Sequence, residues 1–522
     1  MTRRASLATA ACAALLAAGC GGGGGGSSSF TGPDPASVTP AGAPVFAEAV
    51  VRPQGGQKAA LDAALSKLLA RDDPGSFIVD RIDRALAGEA KGFTYESDVA
   101  PWLGPRAGIF FQTFTARARG AAVLSVTDAA AARQAIAKAS SGSGKRERKA
   151  TYRGVGYRLS GDGTATGLVG DLVVTGSRQA FEDAVDASRG SSLAESSDFK
   201  QQLDSEPDDQ VAFAYADPRG IASALVGSGQ LTERQLSFLG NSTLRPLLQQ
   251  PVAVSVSATS DQLSLQASAA ASGSTPSLQE SSLLRDFPAD SWLAFAATDA
   301  GQGLEQSLGA TGKALGFDLG SELGQWAGDV GGFVRGTSLF GLGGALVLES
   351  RDEQASARTL DDLQHALSRD RSVQVEPLSA PGEHGFSLSP AGVPIELQFV
   401  QHGGEVVAGV GSDSVDQVLS PSSTLGDSDA FKAATDALGS DFSPVAFLDF
   451  VPLGQLLDSF PQVRDDPDYR QATPYLDHLD FLAVGGRDEG DRRSVRIVLG
   501  LRDAPAAAGQ TAAANAPAAT VP

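Results

Sequence analysis

Leu61, Leu65, Leu68 and Leu69 recur at the three-to-four-residue spacing that places side chains on one helix face, so a helix is predicted over 57–70. Ile78, Ile82 and Leu86 carry the same stripe through 77–87, and Gly88 supplies a stop. Elsewhere the apolar runs are short and bounded by turn residues. Segments 46–51, 107–114, 120–127 and 210–216 read as strands. Asp128 is placed to accept orphan amide hydrogens at the start of a helix over 129–139. Strand-like segments 151–160 and 165–175 flank Gly161-Asp162-Gly163, a hairpin signal, and 252–271 reads as a hairpin broken at Ser260-Asp261. A short helix is expected over 179–187. Hairpin-linked strands with helices inserted after some of them predict an α+β fold built on a largely antiparallel sheet with packed helices.

The pattern recurs. Trp102-Leu103-Gly104 has a partner in Trp326-Ala327-Gly328 at an offset of 224, and at that offset Gly108 meets Gly332 and Asp128 meets Asp352. Val173-Val174 and Gly176 meet Val406-Val407 and Gly409 at 233, and Val211-Ala212-Phe213 meets Val445-Ala446-Phe447 at 234. Collinear matches with a slowly drifting offset point to two tandem similar domains, at 40–272 and 284–502. A polar linker at 273–283 separates them, and 503–522 is an Ala/Pro tail with little to pack.

The leader has a different character. Arg3 and Arg4 precede an apolar run, 7–18, broken only by Thr9, and the run ends in Leu16-Ala17-Ala18-Gly19-Cys20. A dozen apolar residues suit a signal-peptide core and are too few to span about 30 Å of hydrocarbon. Small residues before a Cys resemble a bacterial lipobox. That resemblance implies cleavage before Cys20, a diacylglycerol on its sulfur, and a membrane partner reached through that anchor. Ala17 stands where the lipobox has Leu, and an ordinary secretory signal with an incidental Cys fits the same composition, as does, more weakly, a twin-arginine signal on Arg3-Arg4. Segment 21–39 would be a Gly/Ser/Pro tether with a root-mean-square reach of about 25 Å. The expected location is the extracytoplasmic face of a cell membrane.

Charge and reactive groups then exclude chemistry. The 522 residues carry a formal charge of −20, which would repel nucleic acid phosphates. Losing Arg3 and Arg4 with the leader would take it to −22. Two Cys, one of them Cys12 in the leader, give neither a thiolate zinc site nor a disulfide framework. His365, His384, His402 and His478 form no zinc-protease spacing. Gly144-Lys145 and Gly312-Lys313 lack the rest of a phosphate loop, and Gly341-x-Gly343 lacks the third dinucleotide-binding glycine. Asp72-Asp73, Asp208-Asp209, Asp361-Asp362 and Asp465-Asp466 read as solvated loop acids. No catalytic, cofactor-binding or metal residue is nominated and no cofactor is expected; the single site residue is the lipidation candidate Cys20. Trp102 and Trp326 fit either a core position or an aromatic platform for a sugar or peptide.

The runs Val45-Phe46-Ala47-Glu48-Ala49-Val50-Val51-Arg52-Pro53, Gly56-Gln57-Lys58-Ala59-Ala60-Leu61 and Pro101-Trp102-Leu103-Gly104-Pro105-Arg106-Ala107 resemble a bacterial family of secreted and lipid-anchored proteins catalogued as domain of unknown function 3352. The resemblance implies an envelope location and lends no catalytic residues. Three readings follow: a non-enzymatic binding or structural module facing an envelope protein or polymer, a carrier of a hydrophobic ligand or lipid, and a hydrolase using carboxylates or serines.

Overall fold

The computed structural model describes residues 30–504 apart from 89, 115–117, 143–145, 228–231, 233–249, 272–278, 302, 306–317, 371, 379–383, 393–394 and 412. The leader with Cys20, the glycine run, most of the expected linker and nearly all of the tail lie outside these residues. The chain is α+β and divides into two compact units.

The first unit takes the described residues of Met1–Ser66, Asp72–Ser277 and Arg487–Ile497. Its strands are β1 (Val45–Val50), β2 (Leu103–Thr113), β3 (Arg119–Val126), β4 (Glu147–Tyr152), β5 (Val155–Ser160), β6 (Thr164–Val169), β7 (Leu172–Ser177), β8 (Gln210–Ala216), β9 (Val252–Ala258) and β10 (Gln262–Ala270). They pair antiparallel in the order β4-β5-β6-β7-β3-β2-β1-β8-β9-β10. Alternation sends neighbouring residues to opposite faces. Val174 joins Phe46, Phe110, Val123, Phe181 and Phe213 on one face, while Val173 joins Trp102, Ala107, Ile78 and Ile82 on the other. Phe199 centres the first cluster, meeting Phe46, Phe213 and Tyr215 edge-on at 5.6, 5.7 and 5.5 Å. Helices Pro74–Ala87 and Ala129–Gly142 cover the second face. Asp128 caps the latter as expected, its Oδ1 accepting from the amides of Ala130 and Ala131 at 2.8 and 3.0 Å.

Segment 487–497 completes this unit along a polar seam. The Ala271 amide donates to the Asp491 carbonyl at 2.8 Å, and the Ser268 and Ser494 hydroxyls lie 3.0 Å apart. Arg496 donates to Gln266 Oε1 at 2.7 Å, and Arg492 donates to Gln202 Oε1 at 2.9 Å. Gln266 Nε2 and the Ser255 hydroxyl both donate to Glu206 Oε2, at 3.2 and 2.5 Å. Most of these buried polar groups are tolerated because they satisfy one another, while Glu206 Oε1 has no partner among the described residues.

The second unit takes Lys67–Arg71, Leu278–Gly486 and the described residues from Val498 onward. Its strands are β11 (Ser291–Ala297), β12 (Ala327–Arg335), β13 (Gly343–Ser350), β14 (Val373–Pro377), β15 (His384–Pro390), β16 (Leu397–His402), β17 (Glu405–Val410), β18 (Ser443–Asp449) and β19 (Leu479–Asp488); β20 (Arg492–Leu501) enters this unit from Val498. The antiparallel order is β14-β15-β16-β17-β13-β12-β11-β18-β19. Taken in chain order, these strands connect as β1 to β9 do. Ala294, Phe333, Val347, Val407, Phe431 and Phe447 pack on one face. Trp326, Leu360, Phe386, Leu388 and Val406 pack on the other.

Three expectations differ from the structure. Residues 151–175 contain two further hairpins. Tyr152 pairs with Val155 across Arg153-Gly154, and Val169 pairs with Leu172 across Gly170-Asp171. Both Arg153 and Gly154 adopt positive φ, which matches strand twist in a two-residue turn. The chain is ordered into the core from well before position 40. Pro35–Val38 is a 3-10 helix capped by Asp34, and Ala36, Val38 and Thr39 are buried. Asp361-Asp362 lies inside the helix Glu353–Leu367 rather than in a loop, while Asp73 and Asp466 are helix N-caps.

Candidate functional site

Two places combine unusual chemistry with defined geometry. The first is buried in the first unit. Phe46, Glu48 and Val50 point to the same side of β1 as every second residue must, so Glu48 enters an apolar layer. Arg106 on β2 answers it. The Arg106 Nη2 donates to Glu48 Oε2 at 2.6 Å and to Asp34 Oδ1 at 2.9 Å, and its Nε reaches Glu48 Oε2 at 3.2 Å. The guanidinium also lies 5.1 Å from the centre of the Phe30 ring. Ser125 locks the Arg106 backbone, accepting from its amide at 2.8 Å and donating to its carbonyl at 2.7 Å. Burial pushes the Glu48 carboxyl up to about 7, the Arg106 guanidinium opposes that rise, and the Asp34 carboxylate adds to it. The Glu48 side chain has no solvent exposure, so this group can exchange a proton near neutrality but meets no substrate directly.

The second place is exposed, in the second unit. The β12–β13 hairpin turns through Gly336-Thr337-Ser338-Leu339-Phe340-Gly341-Leu342. Gly336 has a φ of +89°, and a Cβ there would lie 1.9 Å from the Gly341 carbonyl oxygen, so only glycine closes the turn. The Gly341 amide donates to the Ser338 carbonyl at 3.1 Å, and Trp292 Nε1 donates to the Gly336 carbonyl at 2.9 Å. Leu339 is 59% exposed and Phe340 is 100% exposed. The apolar surface runs on from the tip. Leu342, Leu346, Val410, Ile395 and Phe295 are all exposed. Register explains the continuity: Val410 pairs with Gly344, Gly332 pairs with both Leu346 and Phe295, and all lie on one face. At the base of the hairpin Arg335 bridges Asp290 at 3.0 Å and also Asp413.

The other nominated residues sit elsewhere. Trp102 and Trp326 are core residues. Trp102 Nε1 donates to the Asp98 carbonyl at 2.6 Å, and Trp326 Nε1 donates to Thr359 Oγ1 at 3.0 Å. Their indoles are buried, so neither is an aromatic platform. His384 Nε2 lies 3.1 Å from Asp361 Oδ1 on the surface, His365 Nδ1 is 2.7 Å from the Asp361 carbonyl, and His478 Nδ1 is 3.1 Å from the Arg502 carbonyl. Among the described residues no group of three or more His, Cys, Asp or Glu is arranged to hold a metal ion, and no helix is long and apolar enough to cross a membrane. Cys20, both Gly-Lys pairs and most of the linker lie outside the described residues. Sequence reasoning passed over Glu48 and Arg106, although a lone charge at an inward position of an apolar strand is a readable signal. It also passed over the charge-free run from Gly336 to Leu348.

A family model described as "Protein of unknown function (DUF3352)" matches residues 78–499. No curated protein matches the chain. Among solved structures, crystal form I of TP0453 is similar at a TM-score of 0.25 and 12% identity, covering 47% of this chain and 82% of that one. Crystal form III of TP0453 gives a TM-score of 0.25 and 15% identity over the same shares. At that TM-score the likeness carries no argument about function.

Proposed function

The chain belongs to the DUF3352 family, and from that premise we propose that it is a lipid-anchored, extracytoplasmic protein of the cell envelope that binds rather than catalyses. The observation that carries this reading is the order Arg3-Arg4, apolar run, Leu16-Ala17-Ala18-Gly19-Cys20, in which Cys20 takes the lipid. Two acyl chains hold a protein stably where one is marginal. The Gly and Ser content of the residues that follow Cys20 suits a tether between anchor and body. Support for binding over catalysis comes from the exposed apolar side chains gathered on one face of the second unit, the kind of surface that marks interaction sites. We further read the two units as a tandem duplication, which the shared strand connectivity supports.

Mass spectrometry of the N-terminal peptide from natively extracted protein tests the anchor. A peptide starting at Cys20 and carrying a diacylglycerol is expected, with Cys20→Ser protein moving to the soluble fraction or failing to mature. An unmodified peptide, or a Cys20→Ser protein that stays tightly membrane-bound, refutes it.

A further inference from the structure

We propose that the Leu339-Phe340 tip of the β12–β13 hairpin enters the acyl layer of a lipid bilayer, giving the second unit its own membrane contact. This deepens the anchor reading, on which it rests for proximity to a bilayer, and it uses different residues.

Charge is the first argument. One residue in five of the chain is charged, 20%, yet Gly336 to Leu348 contains none, and these residues include the most exposed large apolar side chains described. Longer charge-free runs occur at 246–260 and 262–279, so the distinguishing point here is a fully exposed Phe340 set in a turn without charge. A loop entering hydrocarbon must exclude it, because a charged side chain there is heavily penalised. Two acids at the hairpin base, Asp290 and Asp413, are bridged by Arg335, which lowers their repulsion from an anionic leaflet.

Backbone satisfaction is the second. Hydrocarbon offers no hydrogen bonds, so a segment that enters it must satisfy its own polar groups. The tip does so in part: the Gly341 amide is held by the Ser338 carbonyl at 3.1 Å and lies 3.3 Å from the Ser338 hydroxyl. Below the tip Trp292 fixes the Gly336 carbonyl. The turn is therefore set before any partner arrives, and little conformational entropy is lost on insertion.

The same features argue against a protein partner. Protein interfaces surround an apolar centre with a polar rim rich in directional groups. The tip offers only Thr337 and Ser338 as polar side chains, Ser338 faces Gly341, and the charged groups at its base, Arg335, Asp290 and Asp413, already pair with one another. Leu342, Leu346 and Val410 extend the apolar surface behind the tip, which is where a bilayer interface would lie against it.

The test places a reporter at the tip. Full-length Phe340→Trp protein, extracted as the cell makes it, is mixed with phosphatidylcholine vesicles brominated on their acyl chains. The native Trp102, Trp292 and Trp326 are buried and give a constant background, measured on the unsubstituted protein. Expected are a blue shift and strong quenching beyond that background, with the extra quenching reduced roughly tenfold when Leu339→Ser is added. Emission that vesicles leave unchanged overturns the proposal while the N-terminal mass still reports on the anchor. A blue shift that grows with protein concentration in the absence of vesicles also overturns it, since the tip would then be meeting a second copy. Quenching at the tip of a protein whose N-terminal peptide lacks acyl chains upholds the insertion and refutes only the anchor.

Discussion

Phe295 on β11 and Leu346 on β13 meet over Gly332, where a Cβ would come within 2.8 Å of Leu346 Cδ2 and 3.0 Å of Phe295 Cε1. The strand between them gives up its side chain so that two large apolar groups share one outward face. The neighbouring Phe333 and Val347 point the other way, into the core. Phe295 and Leu346 therefore add little to folding. Replacing both with Thr is expected to change unfolding free energy by less than about 1 kcal/mol in denaturant melts, as exposed sites do. A loss above about 2 kcal/mol would show that this face is covered in solution.

Glu48 gives the first unit a pH dependence whose sign follows from its burial. Its folded-state pKa is about 7 against an unfolded value of 4.5. The folded chain therefore holds the proton more tightly, and this group favours folding most below about pH 4.5. That contribution falls as pH rises toward 7 and is flat above it, a change on the order of 3 kcal/mol. Wild-type protein melted at pH 5 and at pH 8 is expected to be less stable at pH 8 by some of that amount. Glu48→Gln removes the titrating group, so the gap between the two pH values is expected to narrow. An unchanged gap would assign the dependence to other carboxyls, such as Glu405 and Asp449, whose pKa values burial also raises.

The two indoles offer a test of core against platform. Trp326→Phe keeps an aromatic ring but loses the pyrrole half of the indole and its hydrogen bond to Thr359 Oγ1, an expected cost of at least about 1 kcal/mol. Trp102→Ala empties a packed site, with an expected cost of about 3–5 kcal/mol. Both should act on melting temperature. Variants with wild-type melting but altered retention on a polysaccharide column would restore the platform reading.

Gly336→Val places a Cβ against the Gly341 carbonyl and strains a left-handed backbone. The hairpin should open at its base at a cost of at least about 2 kcal/mol. Limited proteolysis should then cut between Arg335 and Gly343 in the variant before it cuts the wild type. Equal cutting rates would mean the turn has another way to close.

Much of the sheet was legible from the chain. Strand β8 falls where the apolar run predicted it, the β9–β10 hairpin breaks at Ser260-Asp261, and Asp128 caps its helix. These signals are local. The turn at Arg153-Gly154 was missed because Arg at positive φ is imposed by strand pairing and not by the residue's own preference. Residues 34–39 look like tether in the sequence because Asp34 finds its meaning only in Arg106, 72 positions away. Glu48 stands out as a charge at an inward position of an apolar strand, but its partner Arg106 is found only when register brings β1 beside β2. The apolar tip lies in a charge-free run that the sequence shows, but longer charge-free runs at 246–260 and 262–279 keep it from standing out.

The polar seam on β10 has a consequence for biosynthesis. Gln266 and Ser268 await Arg496 and Ser494, which a ribosome adds about 230 residues later. Until then β10 ends the nascent sheet as an open edge, the kind of edge that templates aggregation. A message truncated before position 487 would yield a polypeptide that keeps that edge permanently unsealed. Completion of the first unit thus waits until translation has passed position 497.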